Sequence, residues 1–153
     1  ELYAFVVFSG RLEQGRSAAR AGFVAYAIGA GAMIGAALIS GFVVSSLGVY
    51  YAGASDPAPF VDFARLSMTG NQALAKLGVV AMSAAIVLWA VALLHDSKRV
   101  RWLAIVGFVT GLAPAIALFA GAVRLDVHGM LLVVLAQAIW NLAVGTALVR
   151  GRI

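Results

Sequence analysis

The sequence predicts an all-α integral membrane protein, a bundle of four transmembrane helices. Of the 153 residues, 63% are hydrophobic and only 11% are charged, whereas a soluble domain is about 45–50% apolar and about 25% charged. The apolar residues gather in four long stretches, and most basic residues lie between them. A soluble enzyme, a disordered chain and a nucleic-acid-binding domain are excluded, because a globule of this size cannot bury so much apolar surface.

Each apolar stretch is long enough to cross a membrane. Crossing about 30 Å of hydrocarbon takes roughly 20 residues of helix at about 1.5 Å per residue. Lipid offers no partners for backbone groups, so such spans must be helical. The predicted spans cover residues 21–51, 71–94, 102–123 and 127–149 of one transmembrane domain, residues 1–153.

Residues 1–10, ELYAFVVFSG, are apolar but too short to span. We expect them to form the C-terminal part of an upstream helix. The alternative is a leader on the membrane surface. In the first interpretation Glu1 would lie near mid-membrane, which is costly for an unpaired carboxylate.

The loops indicate the orientation of the chain. Eight of the eleven Lys and Arg fall on one side of the predicted membrane, opposed only by Glu13 and Asp96. These eight are Arg11, Arg16, Arg20, Lys98, Arg99, Arg101, Arg150 and Arg152. Since basic loops stay on the cytoplasmic side, we expect these loops and the C-terminus to face the cytoplasm.

The outer loop, residues 53–70, predicts a short amphipathic helix on the membrane surface. Ser55-Asp56-Pro57 is typical of a helix start, because a capping side chain precedes a proline whose missing N–H costs nothing in the first turn. Phe60 and Phe63 share one face. We expect Gly70 to end this helix before the second span begins.

Small residues predict how the helices pack. Gly31 and Gly35 are spaced by four in the first span, and Gly107 and Gly111 in the third. Apolar side chains gain little by leaving lipid for one another, so close backbone packing at small residues holds such helices together. Packing within the bundle is favoured over a dimer interface.

Aromatic residues near the span ends indicate anchoring at the headgroup boundary. Trp89 and Trp102 lie toward the cytoplasmic side, and Tyr50 and Tyr51 lie toward the outer side. We interpret all four as anchors rather than as a cofactor stack.

Lys76, Asp126 and His128 are candidate ligand-binding residues near the outer surface. Lys76 lies about 7 Å inside the second span. Its ammonium either snorkels back to the surface or pairs with an acid, Asp126 by preference and Asp62 otherwise. Asp126 and His128 are metal-ligand types, but two positions apart on a helix they point in different directions. A helix cap with a polar rim is therefore favoured, and no metal site is predicted.

Gln137 and Asn141 complete the candidate ligand site. They lie one turn apart in the fourth span, beside Trp140. Interhelical hydrogen bonding by the two amides is the favoured interpretation. A small-molecule pocket, shaped by a kink at Pro114, is the alternative.

The sequence contains no catalytic constellation, and we predict neither an enzyme nor a cofactor. There is no cysteine, which excludes thiolate chemistry. His95 and His128 fall at opposite ends of the predicted bundle, roughly 30 Å apart, so they cannot hold one haem or metal together. Motifs such as HExxH, GxSxG and the P-loop do not occur.

The apolar start LYAFVVFSG, the basic loop RLEQGRSAARAG and the ending DVHGMLLVVLAQAIWNLAVGTALV resemble those of small uncharacterised bacterial membrane proteins. The resemblance implies a bacterial cytoplasmic (inner) membrane and a missing N-terminal span. It implies no catalytic residue.

The leading functional prediction is a non-enzymatic accessory or structural subunit. Its partners would be the lipid bilayer and other membrane subunits, or a second copy of itself, and no nucleic acid. The alternative is a carrier or binding protein for a small or lipid-like ligand.

Overall fold

The protein, described from a computed structural model, is a helical bundle without a strand among its described residues. The structure describes residues 2–12, 15–53, 56, 58–96, 100–123, 125, 127–151 and 153, and only the backbone of residues 96, 127 and 128. The helices are α1 (Leu2–Arg11), α2 (Arg16–Leu38), α3 (Val44–Tyr51), α4 (Ala58–Asp96), α5 (Arg101–Phe119) and α6 (Val127–Val149). A π-helical segment, Ile39–Val43, joins α2 to α3.

Within the part of the chain that the structure describes, four helical stretches are long and apolar enough to cross a membrane, which confirms the predicted fold class. They are Arg16–Tyr51, Ala58–His95, Arg101–Phe119 and Gly129–Val149. The protein is therefore a multi-pass membrane protein in contact with lipid.

The second span differs from the prediction at Gly70, which does not end a helix. Helix α4 runs for 39 residues through this position. A glycine inside a helix costs only about 1 kcal/mol relative to alanine, which packing against the first span offsets. The predicted helix start is confirmed, because Asp56 Oδ1 accepts a hydrogen bond of 3.0 Å from the N–H of Ala58.

The helices have unequal lengths, and this gives the bundle its shape. Arg16–Tyr51 and α4 reach about 54 and 58 Å, whereas α5 reaches only about 28 Å at 1.5 Å per residue. Gly111 of α5 lies against Ser83 of α4, so α5 runs beside the C-terminal half of α4. Residues 39–51 and 58–70 continue beyond it as a pair of helices, called here the helical extension.

The two ends of the bundle differ in charge. At the end where α4 stops and α5 begins, five described arginines gather, and we call this the basic end. They are Arg11, Arg16, Arg20, Arg101 and Arg150. The opposite end of α5 and α6 is called the cleft end.

Helices α2 and α4 approach closely along glycines spaced by seven residues rather than by four. A Cβ atom added at Gly22 would lie 3.0 Å from Trp89 Nε1, and one added at Gly29 would lie 3.0 Å from the backbone nitrogen of Met82. Gly31, which we expected to pack, has no described neighbour within 4 Å of that position. A spacing of seven keeps one helix face in contact over several turns when helices cross at a small angle.

The other expected packing glycines do lie at helix contacts. A Cβ atom at Gly107 would meet the Trp140 ring at 2.8 Å, and one at Gly111 would meet Val87 Cγ2 at 2.9 Å. Gly35 faces Leu74 more loosely, at 3.2 Å. Small residues thus allow the close approach of α4, α5 and α6.

The core of the bundle is aromatic, and Trp89 lies inside it rather than at the lipid boundary, contrary to the expected anchor role. Trp89 is fully buried, and its Nε1 donates to Ser9 Oγ at 2.9 Å and to the Ala19 carbonyl at 3.1 Å. The Phe5 ring stacks on it with centroids 4.5 Å apart. Because Phe5 and Phe8 are also buried, α1 packs into the bundle.

Candidate functional site

An open cleft of about 1250 Å³ lies at the cleft end, where α5 ends, α6 begins and α4 continues beyond both. One wall is polar and is built from the first and second spans. The rest is apolar and comes from α5, α6 and the loop between them. The lining residues are Ser40, Met68, Asn71, Gln72, Lys76, Leu118, Gly121, Val123, Leu125, Met130, Leu131 and Val134.

The loop after α5 closes the bottom of the cleft. Gly121 ends α5 because it adopts a φ of +69°, which a side chain would disfavour. The N–H groups of Ala122 and Val123 then donate to the Ala117 carbonyl at 3.0 and 3.2 Å. These bonds turn the chain across the bundle toward α6.

Gln72 ties this loop to α4. Its Nε2 donates to the Leu125 carbonyl at 3.2 Å, and the Leu125 side chain is buried beside Val79 and Val133. The amide therefore fixes the position of the apolar floor relative to the polar wall.

Lys76 lies one helical turn from Gln72 and supplies the described positive charge of the cleft. Its side chain is exposed. The second expected partner of Lys76, Asp62, cannot form the ion pair. Asp62 and Lys76 lie on one continuous helix, fourteen positions or about 21 Å apart. The preferred partner, Asp126, lies outside the described residues.

Ser40 reaches the cleft from the π-helical segment. Its Oγ lies 3.1 Å from the Ala36 carbonyl oxygen and 3.3 Å from that of Ala37. The hydroxyl hydrogen is therefore donated to a carbonyl of the preceding helical turn. The wider π turn changes the direction of successive side chains at this level. Only the hydroxyl oxygen is thus left to face a ligand.

The two described amides of the fourth span, Gln137 and Asn141, are not brought to Lys76. Gln137 Nε2 donates to Met82 Sδ at 3.3 Å, which is an interhelical contact about 9 Å deeper along α4 than Lys76. Asn141 is half-buried one turn further toward the basic end. The side chain of His128 lies outside the described part of the chain, although its backbone opens α6 at the cleft end.

Sequence reasoning missed part of the polar wall. Gln72 shares a helix face with Lys76 because it lies four residues away, but it was not included in the predicted ligand site. Ser40 could not have been predicted, since it reaches the cleft only through the pairing of α2 with α4. The polar wall of the cleft thus consists of Asn71, Gln72 and Lys76 of α4 with Ser40, and the half-buried amides Gln137 and Asn141 are not part of it.

The chemistry of the cleft is amphipathic. Lys76 offers an ammonium with three donors, and Asn71 and Gln72 add amide groups beside it. Opposite them, Met130 and Leu131 present thioether and aliphatic surface. Such an arrangement suits a ligand with an anionic head and an apolar chain.

Within the described residues, no three His, Cys, Asp or Glu lie close enough together to hold a metal ion. No protein-family model, curated protein or solved structure matches this chain.

Proposed function

We propose that this protein is a non-catalytic membrane protein that binds an anionic amphiphile in the cleft. The acid group of the ligand contacts Lys76, and its chain lies along Leu118, Met130 and Leu131. One observation carries the proposal: the cleft joins a cation to a continuous apolar wall.

The position of the cleft supports a ligand that comes from the bilayer. The length of α5, about 28 Å at 1.5 Å per residue, is close to the hydrocarbon thickness of about 30 Å. The cleft lies where α5 ends, so its mouth falls at the headgroup boundary. An amphiphile in that leaflet would already have its head at the level of Lys76.

The arginines at the basic end, opposite the cleft, support a definite orientation of the protein in the membrane. Five described arginines lie at the basic end, and basic residues are retained in the cytoplasm. We place the basic end in the cytoplasm of a bacterial inner membrane, so that the cleft opens to the outer leaflet.

Binding of a long-chain carboxylate tests the proposal. The full chain is reconstituted in nanodiscs of zwitterionic lipid, and retention of radiolabelled hexadecanoate is measured. Lys76→Gln is expected to weaken binding by about tenfold or more, because a hydrogen bond to a charged group contributes about 1.5–3 kcal/mol. Lys76→Arg keeps the charge and should restore most of the binding.

Two controls separate this site from general partitioning into lipid. Arg65→Gln removes a cation from α4 about 16 Å away and should leave binding unchanged. A hexadecyl trimethylammonium amphiphile should not distinguish Lys76→Gln from the original protein. Equal retention of hexadecanoate by both proteins would refute the proposal.

The helical extension favours a second function, the accessory subunit. Residues 39–51 contain no charge, and within this fully described stretch none is buried. Phe42, Val49 and Tyr50 are 69%, 80% and 79% exposed. An apolar surface of this kind marks contact with lipid or with another chain, and a second membrane subunit would cover it.

Cysteine cross-linking tests the accessory role, because the chain has no native cysteine. Val49→Cys, treated in native membranes with a short thiol cross-linker, should give an adduct with one defined partner. Ile105→Cys, on the exposed face of α5, is the lipid-facing control. Adducts that are absent, or equal for both variants, would contradict a specific docking surface.

A further inference from the structure

We propose a second lipid site at the basic end, where a groove between α1 and α2 binds the phosphate of an anionic phospholipid. The groove holds about 430 Å³. It is lined by Val6, Ser9, Gly10, Arg16, Arg20 and Phe23, with Val24 at its far end. This site is separate from the cleft and does not depend on a ligand there.

The groove is polar at one end and apolar at the other. Helices α1 and α2 follow one another with opposite directions, so Gly10 and Arg16 lie at the mouth, and Val6 and Val24 lie deeper along the bundle. Arg16 and Arg20 are four residues apart on α2, one turn or about 6 Å along the axis. A headgroup at the mouth would therefore meet both guanidinium groups, and its chain would meet the valines.

The two arginines are the polar groups that the groove offers to a ligand. The oxygen of Ser9, which is buried at the floor, already accepts the hydrogen bond from Trp89 Nε1 at 2.9 Å. Arg16 and Arg20 are both exposed. Guanidinium groups match phosphate oxygens with paired N–H donors.

The apolar walls indicate a lipid rather than a free anion. Val6 and Val24 are 48% and 56% exposed, and Phe23 adds half-buried aromatic surface between them. Inorganic phosphate would leave these surfaces unused. Basic pockets between transmembrane helices are a recurrent form of acidic headgroup site.

The neighbouring arginine at the end of α1 is already engaged. Arg11 Nη1 donates to the Ile153 carbonyl at 2.9 Å, which ties α1 to the segment after α6. This contact steadies the α1 wall of the groove and leaves Arg16 and Arg20 to hold the headgroup.

Native mass spectrometry of the full chain, released from detergent, tests the site with three probes. In the Lys76→Gln background, which removes the cation of the cleft, dioleoyl phosphatidylglycerol is expected to remain bound as one lipid per chain, with dioleoyl phosphatidylcholine retained about tenfold less, because only the first has a net negative charge. Sodium phosphate should neither bind nor displace the first lipid. The double variant Arg16→Gln/Arg20→Gln should lose about tenfold or more in phosphatidylglycerol retention, whereas Arg65→Gln should lose nothing.

A second variant keeps the charges and fills the apolar end. Val24→Trp should also reduce phosphatidylglycerol retention while both arginines remain, and circular dichroism checks that the helices persist. Displacement of the lipid by phosphate would show a free-anion site and overturn the proposal. Equal retention of the two lipids, or no effect of the double variant, would overturn it as well.

Discussion

Replacing Gly107 with alanine is expected to destabilise the bundle by about 1–3 kcal/mol relative to the same change at Gly145, because it overpacks the core. The new Cβ would lie 2.8 Å from Trp140 Cζ3 and 2.9 Å from the Ala90 Cβ, whereas carbon atoms prefer about 3.5–4.0 Å. Trp140 is 1% exposed and packs on other rings, and Ala90 belongs to a packed helix. Neither neighbour can retreat without moving others.

Gly145 is the matched control for this change. It lies inside α6 and has no described neighbour within 4 Å of its Cβ position. Both substitutions gain the same helix propensity, about 1 kcal/mol, so their difference isolates the overpacking. Unfolding of the purified variants is followed by circular dichroism in mixed detergent micelles with increasing sodium dodecyl sulfate. If Gly107→Ala proves as stable as Gly145→Ala, the close contact between α5 and Trp140 is wrong.

Two further predictions concern hydrogen bonds. Trp89→Phe should destabilise the bundle by about 1–3 kcal/mol more than Trp140→Phe. The reason is that Trp89 Nε1 has two acceptors, whereas Trp140 Nε1 has none among the described residues. Thermal unfolding in detergent measures the difference, and a greater loss of stability in Trp140→Phe would contradict the prediction. Asp56→Ala should cost the start of α4 about 0.5–2 kcal/mol. Amide hydrogen exchange should then accelerate over residues 58–61 and remain unchanged at the buried residues of α4. Equal exchange rates over residues 58–61 in the variant and the original protein would argue against the cap.

The four membrane-spanning helices could be predicted from the sequence because they depend on local properties. A run of apolar residues long enough to cross lipid can be recognised as a transmembrane helix from its own length and composition. The helix start at Asp56 is equally local, since the side chain caps an N–H group two residues away.

The predictions for Gly70 and Trp89 were wrong because segments distant in sequence determine the structure at both residues. Gly70 lowers helix propensity, but packing of α4 against the first span keeps the helix continuous. Trp89 looks like an interfacial anchor by its position, yet Ser9 and Ala19 satisfy its N–H inside the bundle. Neither partner can be identified before the helices are assembled.

The candidate site likewise has one part that the sequence predicts and another that depends on the assembled fold. Lys76 could be identified because a charge within a span is costly and therefore conspicuous. The cleft itself arises because α5 is shorter than α4 and because the Gly121 turn stops short of the helical extension. Gln137 was singled out for its polarity, but its bond to Met82 joins α6 to α4 away from the cleft.

Photolabelling is the most direct measurement of amphiphile binding in the cleft. A hexadecanoate carrying a diazirine near mid-chain is irradiated with the full chain in zwitterionic nanodiscs, and the labelled peptides are mapped by mass spectrometry. If hexadecanoate lies in the cleft, labels will be concentrated on Leu118, Met130 and Leu131 and strongly reduced in Lys76→Gln. Labels spread evenly over the lipid-facing residues of α5 and α6, and unchanged in Lys76→Gln, would contradict binding in the cleft.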